Sequence, residues 1–185
     1  MKKIMFMLLM LIGTSAIADS IGVDYAVTRA DGVSAVSNGT WEGTYVHPFN
    51  AAITGVVQAN LVNDHTTSGN KTELKAGAKI GLMPVMGVNP WVQPMVTARS
   101  ISGRTATVAG YELGAGIDVK LAGLTITPAY KYSNNFGADK AAQNSFSLGA
   151  SYPLTNVLSI DAKVQRNLVS AANNNAIYGG LSYKF

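Results

Sequence analysis

An alternation of apolar and polar residues recurs along most of this chain and limits what it can fold into. In the segment 158–165, LSIDAKVQ, every second residue is apolar and the residues between them are polar or charged. The segments 73–82, ELKAGAKIGL, and 111–121, YELGAGIDVKL, repeat this pattern. Because successive side chains of a β-strand point to opposite faces, the alternation predicts strands with one apolar face and one polar face.

Counting these segments predicts an all-β chain of about ten strands, with eight as the alternative count. Most of them are close to the roughly 9–11 residues that a tilted strand needs to cross a bilayer. The expected bounds are 20–29, 38–47, 51–63, 72–84, 90–102, 108–120, 124–134, 143–152, 157–168 and 175–185.

The connections between these strands alternate between two kinds. One set is tight and holds Pro or Gly, at 48–50, 84–89, 121–123 and 153–156. The other set is polar, as in DHTTSGNK and NNFGADKAA. Short inner turns and longer polar outer loops are typical of barrels that cross an outer membrane.

The first eighteen residues have the layout of a secretory signal peptide. Lys2 and Lys3 precede an apolar run over 4–13, and Ala16-Ile17-Ala18 follows as a small-x-small cleavage site. The apolar run is too short to span a bilayer as a helix. We therefore expect cleavage after Ala18 and a mature domain over 19–185.

Composition excludes several other classes of protein. The chain has no cysteine, so a disulfide framework and a thiolate metal site are both excluded. Its formal charge of +4 falls to +2 without Lys2 and Lys3, and no run of basic residues is present. A nucleic-acid partner is therefore not expected.

A sheet in lipid must close on itself, because every backbone N–H and C=O needs a partner within the protein. The strand at 175–185 is therefore expected to pair with the first strand. In that register, alternate residues from Ile177 to Phe185 face lipid and Tyr178, Gly180, Ser182 and Lys184 face the lumen. The even strand count places both ends on the periplasmic side, with Phe185 at the membrane interface.

The residues Gly180-x-x-Tyr183-x-Phe185 resemble the C-terminal assembly signal of bacterial outer-membrane barrels. With the alternation and the leader segment, the chain resembles a small barrel of the OmpA/OmpX or porin-like kind. The resemblance implies a closed antiparallel up-and-down transmembrane β-barrel in the bacterial outer membrane. It also implies contact with outer-membrane lipid, and insertion by the barrel-assembly machinery with the help of periplasmic chaperones. We expect a monomer.

Period alone does not say which face is inside, so a secreted lipocalin-like barrel is the alternative. The apolar face has almost no charge in mid-strand, which favours lipid outside. Aromatic residues also fall near strand ends, as in the girdles of membrane barrels. The expected girdle consists of Trp41, Tyr111 and Tyr132 at the outer end and Trp91, Tyr152, Tyr183 and Phe185 at the inner end.

The polar face predicts a lumen that holds charges of both signs. The candidate site is a lumen charge network of Glu73, Arg99, Glu112, Lys131, Lys75, Lys79, Asp118, Lys120, Asp161, Lys163 and Asp24. Unpaired charges in a narrow lumen are costly, so pairing is expected. We expect Arg99 to lie between Glu73 and Glu112 and to form a gate with them.

The network favours a passive role, either porin-like or structural. The alternatives are an adhesin or receptor that acts through the outer loops, and an outer-membrane hydrolase with its site at the rim. His47 is expected beside an inner turn and His65 in the second outer loop. Asp64 and His65 are adjacent, so in a strand their side chains would point to opposite faces. No catalytic residue, metal site or cofactor is predicted. Pro94 and Pro128 fall inside predicted strands, where they are expected to mark bulges or short breaks.

Overall fold

The computed structural model describes residues 19–32, 38–64, 70–102, 107–136, 142–169 and 173–185. The predicted leader, 1–18, lies outside the described residues, as does the predicted rim residue His65. Ten strands follow one another along the described chain, so ten and not eight is the correct count. They are β1 Ser20–Ala30, β2 Asn38–Pro48, β3 Ile53–Asp64, β4 Asn70–Gly81, β5 Val88–Ile101, β6 Val108–Leu121, β7 Leu124–Asn135, β8 Gln143–Pro153, β9 Leu158–Val169 and β10 Asn174–Lys184.

The ten strands form one closed antiparallel barrel in which every strand pairs with its sequence neighbours. The seam is closed by β1 and β10, with Ser20 opposite Lys184 and Ala30 opposite Asn174. The predicted up-and-down barrel is therefore confirmed. Closure leaves no free edge, which is the condition for a sheet that lies in lipid. No helix among the described residues is long and apolar enough to cross a membrane.

The two faces of the sheet follow the alternation of the sequence. Ile160, Val164 and Leu181 are exposed on the outer surface of the barrel. Their neighbours Asp161 and Lys163 point into the lumen, where each is only partly accessible. The apolar set thus faces the lipid and the polar set faces inward, opposite to the arrangement of a lipocalin-like barrel.

Pro94 and Pro128 each break the ladder on one side only. Between β4 and β5 the pairs run to Gly77–Met95 and resume at Ile80–Val92 in the same register. Between β6 and β7 the same gap separates Gly116–Ala129 from Val119–Ile126. Because the register is unchanged across both gaps, no extra residue is inserted. The prolines therefore mark short breaks and not bulges, since proline has no N–H to donate.

A glycine stands opposite each of these breaks. A side chain at Gly77 would meet the carbonyl oxygen of Pro94, and one at Gly116 would lie 2.8 Å from that of Pro128. The two proline-containing strands therefore approach their neighbours closely, where only glycine fits.

The inner turns differ in part from their predicted bounds. β4 ends at Gly81 and β5 begins at Val88, so the turn between them covers 82–87 and includes Pro84. Met86 and Gly87 have positive φ values of 48° and 82° there. Between β6 and β7 the turn is two residues long, and Ala122 and Gly123 have φ values of 47° and 89°. Positive φ at both central residues is the requirement of a tight hairpin turn that matches strand twist.

The aromatic girdle is present except at one position. At the outer end, the rings of Tyr25 and Trp41 are tilted by 51° with their centroids 4.8 Å apart, and the ring of Tyr111 lies 6.1 Å from that of Tyr132. At the inner end, Tyr152, Tyr183 and Phe185 are exposed. The prediction was wrong for Trp91, which is buried inside the barrel. Arg99 and Trp91 are eight residues apart on one strand, so their side chains lie on the same face. Because Arg99 was expected to point into the lumen, Trp91 should have been expected there too.

Candidate functional site: the charged lumen

The lumen holds a chain of ion pairs that links four neighbouring strands. Arg99 on β5 contacts Glu73 on β4 at 2.7 Å. Glu73 also lies 3.5 Å from Lys75, which reaches across β5 to Glu112 on β6 at 2.7 Å. Glu112 is in turn 3.0 Å from Lys131 on β7. The structure therefore brings together Glu73, Lys75, Arg99, Glu112 and Lys131, all of them predicted site residues.

The arrangement around Arg99 differs from the expected one. In the β5–β6 ladder Arg99 stands opposite Val108, and Glu112 stands opposite Met95, four residues deeper. Among the described residues, the ion pair of Arg99 is with Glu73, and Glu112 is held by two lysines. The expectation that Arg99 lies between two carboxylates was wrong, because the hairpin register offsets Glu112 from Arg99.

A second cluster lies in the inner half of the barrel around Asp118. Lys79 donates to its carboxylate at 2.7 Å, Thr127 at 2.8 Å, and the indole nitrogen of Trp91 at 3.1 Å. The ammonium group of Lys79 also lies 4.7 Å from the centre of the Trp91 ring. The Thr127 bond spans the ladder gap beside Pro128, so side chains replace backbone pairing there.

Lys163 on β9 lies on a part of the barrel wall away from the ion pairs of β4 to β7. Its ammonium group is 3.4 Å from Glu42 and 3.8 Å from the centre of the Tyr178 ring. The contact with Glu42 on β2 crosses the β1–β10 seam, whereas Tyr178 lies directly opposite Lys163 on the neighbouring strand β10. Glu42 is not among the predicted members of the network, and its pairing with Lys163 adds it.

The remaining predicted members do not join these ion pairs. Asp24 and Asp161 face inward on either side of Gly180, and among the described residues no ion pair includes them. Lys120 is exposed near the inner end of β6, outside the described ion pairs. Lys71, which the sequence reasoning missed, lines the outer part of the lumen. Its position two residues before Glu73 on one strand was the available signal, since both then share a face.

Two cavities lie along the lumen between the described residues. The outer chamber is a cavity of about 400 Å³ that includes Thr28, Lys71 and Arg99 in its lining. The inner chamber is a cavity of about 250 Å³ that includes Asp24, Trp91 and Asp161. Lys131 and Lys163 line both chambers. These two lysines, held by Glu112 and Glu42, thus stand at the boundary between the chambers.

The charges of the two chambers differ. The basic residues of the outer chamber are Lys71, Lys75, Arg99, Lys131 and Lys163, and its carboxylates are Glu42, Glu73 and Glu112. The inner chamber adds the acids Asp24 and Asp161 and shares Lys131 and Lys163 with the outer one. With the shared lysines counted once, the described residues around the two chambers carry five positive and five negative groups.

The rim residues give no support to a hydrolytic site within the described chain. Asp31 at the outer rim is bound to Arg166 at 2.7 Å and to Asn175 at 2.9 Å. His47 lies at the inner end, where its Nδ1 atom is 2.8 Å from Asp19. In the part of the chain that the structure describes, no group of three His, Cys, Asp or Glu residues is arranged to hold a metal ion.

The residues of the predicted assembly signal lie at the seam. Gly180 faces the lumen, opposite Asp24 on β1. Tyr183 and Phe185 face outward with their rings 6.2 Å apart. The backbone N–H of Phe185 donates to the carbonyl oxygen of Asp19 at 2.9 Å, so the last residue extends the seam by one bond beyond the β1–β10 ladder.

No family model matches the sequence, and no curated protein matches it. The chain is similar in structure to the translocator domain of autotransporter NalP from Neisseria meningitidis, with a TM-score of 0.54 and 10% identity over 100% of this chain and 94% of that one. It is similar to the outer membrane protease OmpT from Escherichia coli, with a TM-score of 0.52 and 9% identity over 93% and 98%. It is also similar to the KdgM porin in complex with disordered oligogalacturonate, with a TM-score of 0.50 and 16% identity over 90% and 99%.

These neighbours share the fold at low sequence identity, and they are proteins of different kinds: a translocator domain, a protease and a porin. The resemblance to small outer-membrane barrels, stated from the sequence, is therefore confirmed at the level of the fold. The chain is a closed ten-stranded β-barrel of the bacterial outer-membrane type.

Proposed function

We propose that this protein is a porin-like barrel that admits small hydrophilic solutes along a narrow lumen. The observation that carries this is the pair of chambers that share Lys131 and Lys163. A barrel filled only for stability needs no chambers, whereas a path for solutes needs space on both sides of its narrowest point. The fold itself does not decide the role, because barrels of this type also serve as a protease and as translocator domains.

The boundary lysines are proposed to form the constriction of this path. Lys131 is held firmly, 3.0 Å from Glu112. Lys163 has the longer contact, 3.4 Å to Glu42. Rings of charged side chains at a constriction set both the width and the ion preference of a pore. Shortening either lysine should therefore widen the path and change its ion preference.

Single-channel recording in planar bilayers tests this proposal. The variants are Lys131→Ala, which leaves Glu112 bound to Lys75, and Lys163→Ala; Lys120→Ala is the control at the exposed inner end. The expected result is a larger conductance and a shift toward cations in both lumen variants, with the control equal to the parent. If the parent and both lumen variants stay electrically silent while heat-modifiability shows them folded, the lumen network is structural and the proposed function fails.

The two alternatives would act at the outer end of the barrel. An adhesin or receptor would use the outer loops and a rim hydrolase would use His65, and residues 33–37, 65–69, 103–106, 137–141 and 170–172 lie outside the described residues. The porin-like role is preferred because of the two chambers in the lumen, and the role we propose is without catalysis.

A further inference from the structure

Two arginines lie on the outward face of the barrel, whereas the other lysine and arginine residues of the described strands belong to the inward set of the alternation. Arg29 on β1 and Arg166 on β9 are both exposed. A basic side chain on the lipid-facing surface is costly near the bilayer midplane and is tolerated only near the interfaces. These two positions therefore need a polar or anionic environment and not hydrocarbon.

The strand register brings the two arginines together across β10. Arg29 lies opposite Asn175, and Asn175 lies opposite Arg166. Neighbouring strands are about 4.8 Å apart, so the backbone positions of the two arginines are separated by about 10 Å. Their long side chains can therefore reach a single group that lies in front of Asn175.

The depth of this row is fixed by its neighbours. Two residues closer to the membrane centre, about 7 Å along the strands, the outward residues are all apolar and exposed: Val27, Ile177, Val164 and Leu148. In the arginine row itself, Phe146 lies opposite Arg166, and its ring is 5.0 Å from that of Tyr130. Aromatic rings mark the interfaces of such barrels. The guanidinium groups therefore lie where the apolar band ends and the lipid headgroups begin.

The two guanidinium groups differ in how they are held. Arg166 donates to Asp31 at 2.7 Å and to Asn175 at 3.1 Å, and Asn175 donates to Asp31 at 2.9 Å. A guanidinium group has five N–H donors, so three of those of Arg166 remain for a ligand. Arg29 has no ion pair or side-chain hydrogen bond with another described residue. One arginine is thus positioned in advance, and the other is available.

One positive charge is uncompensated among the described residues of this surface. Asp31 supplies one negative charge against the two positive charges of Arg29 and Arg166. The connections 33–37, between β1 and β2, and 170–172, between β9 and β10, contain no charged residue in the sequence. An anionic group is therefore the ligand that complements this surface.

We infer that Arg29, Asn175 and Arg166 form a binding site for the phosphate group of a lipid in the outer leaflet. Guanidinium groups bind phosphate through paired, charge-assisted hydrogen bonds. A phosphate held at this depth leaves the acyl chains of the same lipid against the apolar row next to it. The site opens to the membrane and not to the lumen, so it does not depend on the porin-like role.

Two lipids with the same acyl chains separate the phosphate group from the hydrocarbon: dioleoyl phosphatidic acid carries it and dioleoylglycerol lacks it. Native mass spectrometry of the folded full-length barrel, titrated with each lipid in neutral detergent, measures their affinities. We expect phosphatidic acid to bind about tenfold more tightly, the effect of a charge-assisted hydrogen bond. Inorganic phosphate at the same concentration should not displace it, because the free ion lacks the acyl chains.

Variants assign the binding to the arginine row. Arg29→Gln and Arg166→Gln should each weaken the binding of phosphatidic acid by about two- to fivefold, the effect of one exposed charge pair. Neither should change the binding of dioleoylglycerol. Arg29→Gln breaks no side-chain contact with a described residue, so the barrel is expected to fold. Lys120→Gln removes the same charge near the inner end and should bind like the parent.

Three results would each overturn the inference. Equal affinities for the two lipids would mean that the phosphate group is not recognised. Displacement of phosphatidic acid by an equal concentration of inorganic phosphate would mean that the site takes the free ion and not a lipid. Equal affinity for phosphatidic acid in the parent, Arg29→Gln and Arg166→Gln, with heat-modifiability showing all three folded, would place the binding elsewhere on the barrel.

Discussion

At the scale of single residues, Gly180 of the predicted assembly signal lies where β1 and β10 leave no room for a side chain. It faces the lumen between Asp24 and Asp161. A Cβ atom there would meet the Asp24 carboxylate and would lie 2.5 Å from the carbonyl oxygen of Val23. The neighbouring Gly179 faces lipid, and a Cβ atom there would have no atom within 4 Å.

The two glycines therefore make a matched pair. Gly180→Ala should lower the free energy of unfolding by about 1–3 kcal/mol, because the backbone of β1 must shift to admit the methyl group. Gly179→Ala should change it by less than about 0.5 kcal/mol. Urea unfolding of both variants from lipid vesicles measures the difference. Equal losses would contradict the steric account of the seam.

Asp19 joins the inner end of the seam to β2. Tyr45 donates to its carboxylate at 2.6 Å, and His47 contacts it at 2.8 Å. The Tyr45 hydrogen bond lowers the pKa of Asp19 below its ordinary value of 3.8, against the opposing effect of burial, and His47 adds to the lowering. A lowered pKa contributes stability that is present above the ordinary value and is lost as the pH falls through the lowered one.

We therefore expect the parent to be more stable than Asp19→Asn near neutral pH, with the difference shrinking once the pH falls below about 4. Tyr45→Phe, which removes the largest cause of the shift, should reduce the same pH dependence. Unfolding midpoints of the three barrels, measured from about pH 7 to pH 3, test this. A difference between parent and Asp19→Asn that is constant across that range would mean that Asp19 does not act through its charge.

At the scale of one strand, β9 tests which face meets lipid. Ile160 is exposed on the outer surface, and the adjacent Ser159 faces the lumen. Ile160→Lys should cost about 2–4 kcal/mol if the residue lies near the bilayer midplane, and Ser159→Lys should cost much less because its ammonium group enters the polar interior. Folding yields and unfolding free energies in lipid vesicles provide the comparison. Equal costs would count against the assignment of the two faces.

At the scale of the whole molecule, Phe185 lies at the seam where the sheet closes. Phe185 extends the seam through its bond to Asp19 and stacks near Tyr183. Deletion of Phe185 should reduce the amount of heat-modifiable barrel in the outer membrane and leave export of the chain unchanged. Leu154→Ala, an exposed apolar site in an inner turn, is the control. Normal assembly of the deletion variant would mean that Phe185 is not part of the assembly signal.

The alternation of the sequence by itself determined about ten strands and which residues share a face on each of them. The near absence of charge from the apolar set then assigned that face to lipid, and a sheet in lipid has to close. The physical reason is that a period of two leaves one choice of face per strand, and lipid decides that choice because it excludes charge. Ile160 and Lys163 were placed on the correct sides for this reason. Turn geometry was harder to predict from the sequence. The turn at 82–87 begins earlier than expected, so β4 ends at Gly81 and β5 begins at Val88.

Only the tertiary structure decided how the lumen side chains meet. Lys75 reaches Glu112 across an intervening strand, and Trp91 turns inward to donate to Asp118. Strand patterns place a residue on a face, but the curvature of the closed sheet and the offset between strands decide which long side chains come within reach of one another. The two chambers and the lysines between them follow from that curvature. The alternation established that this chain is a barrel with charges inside, and the closed structure established which of those charges hold one another and which face the open lumen.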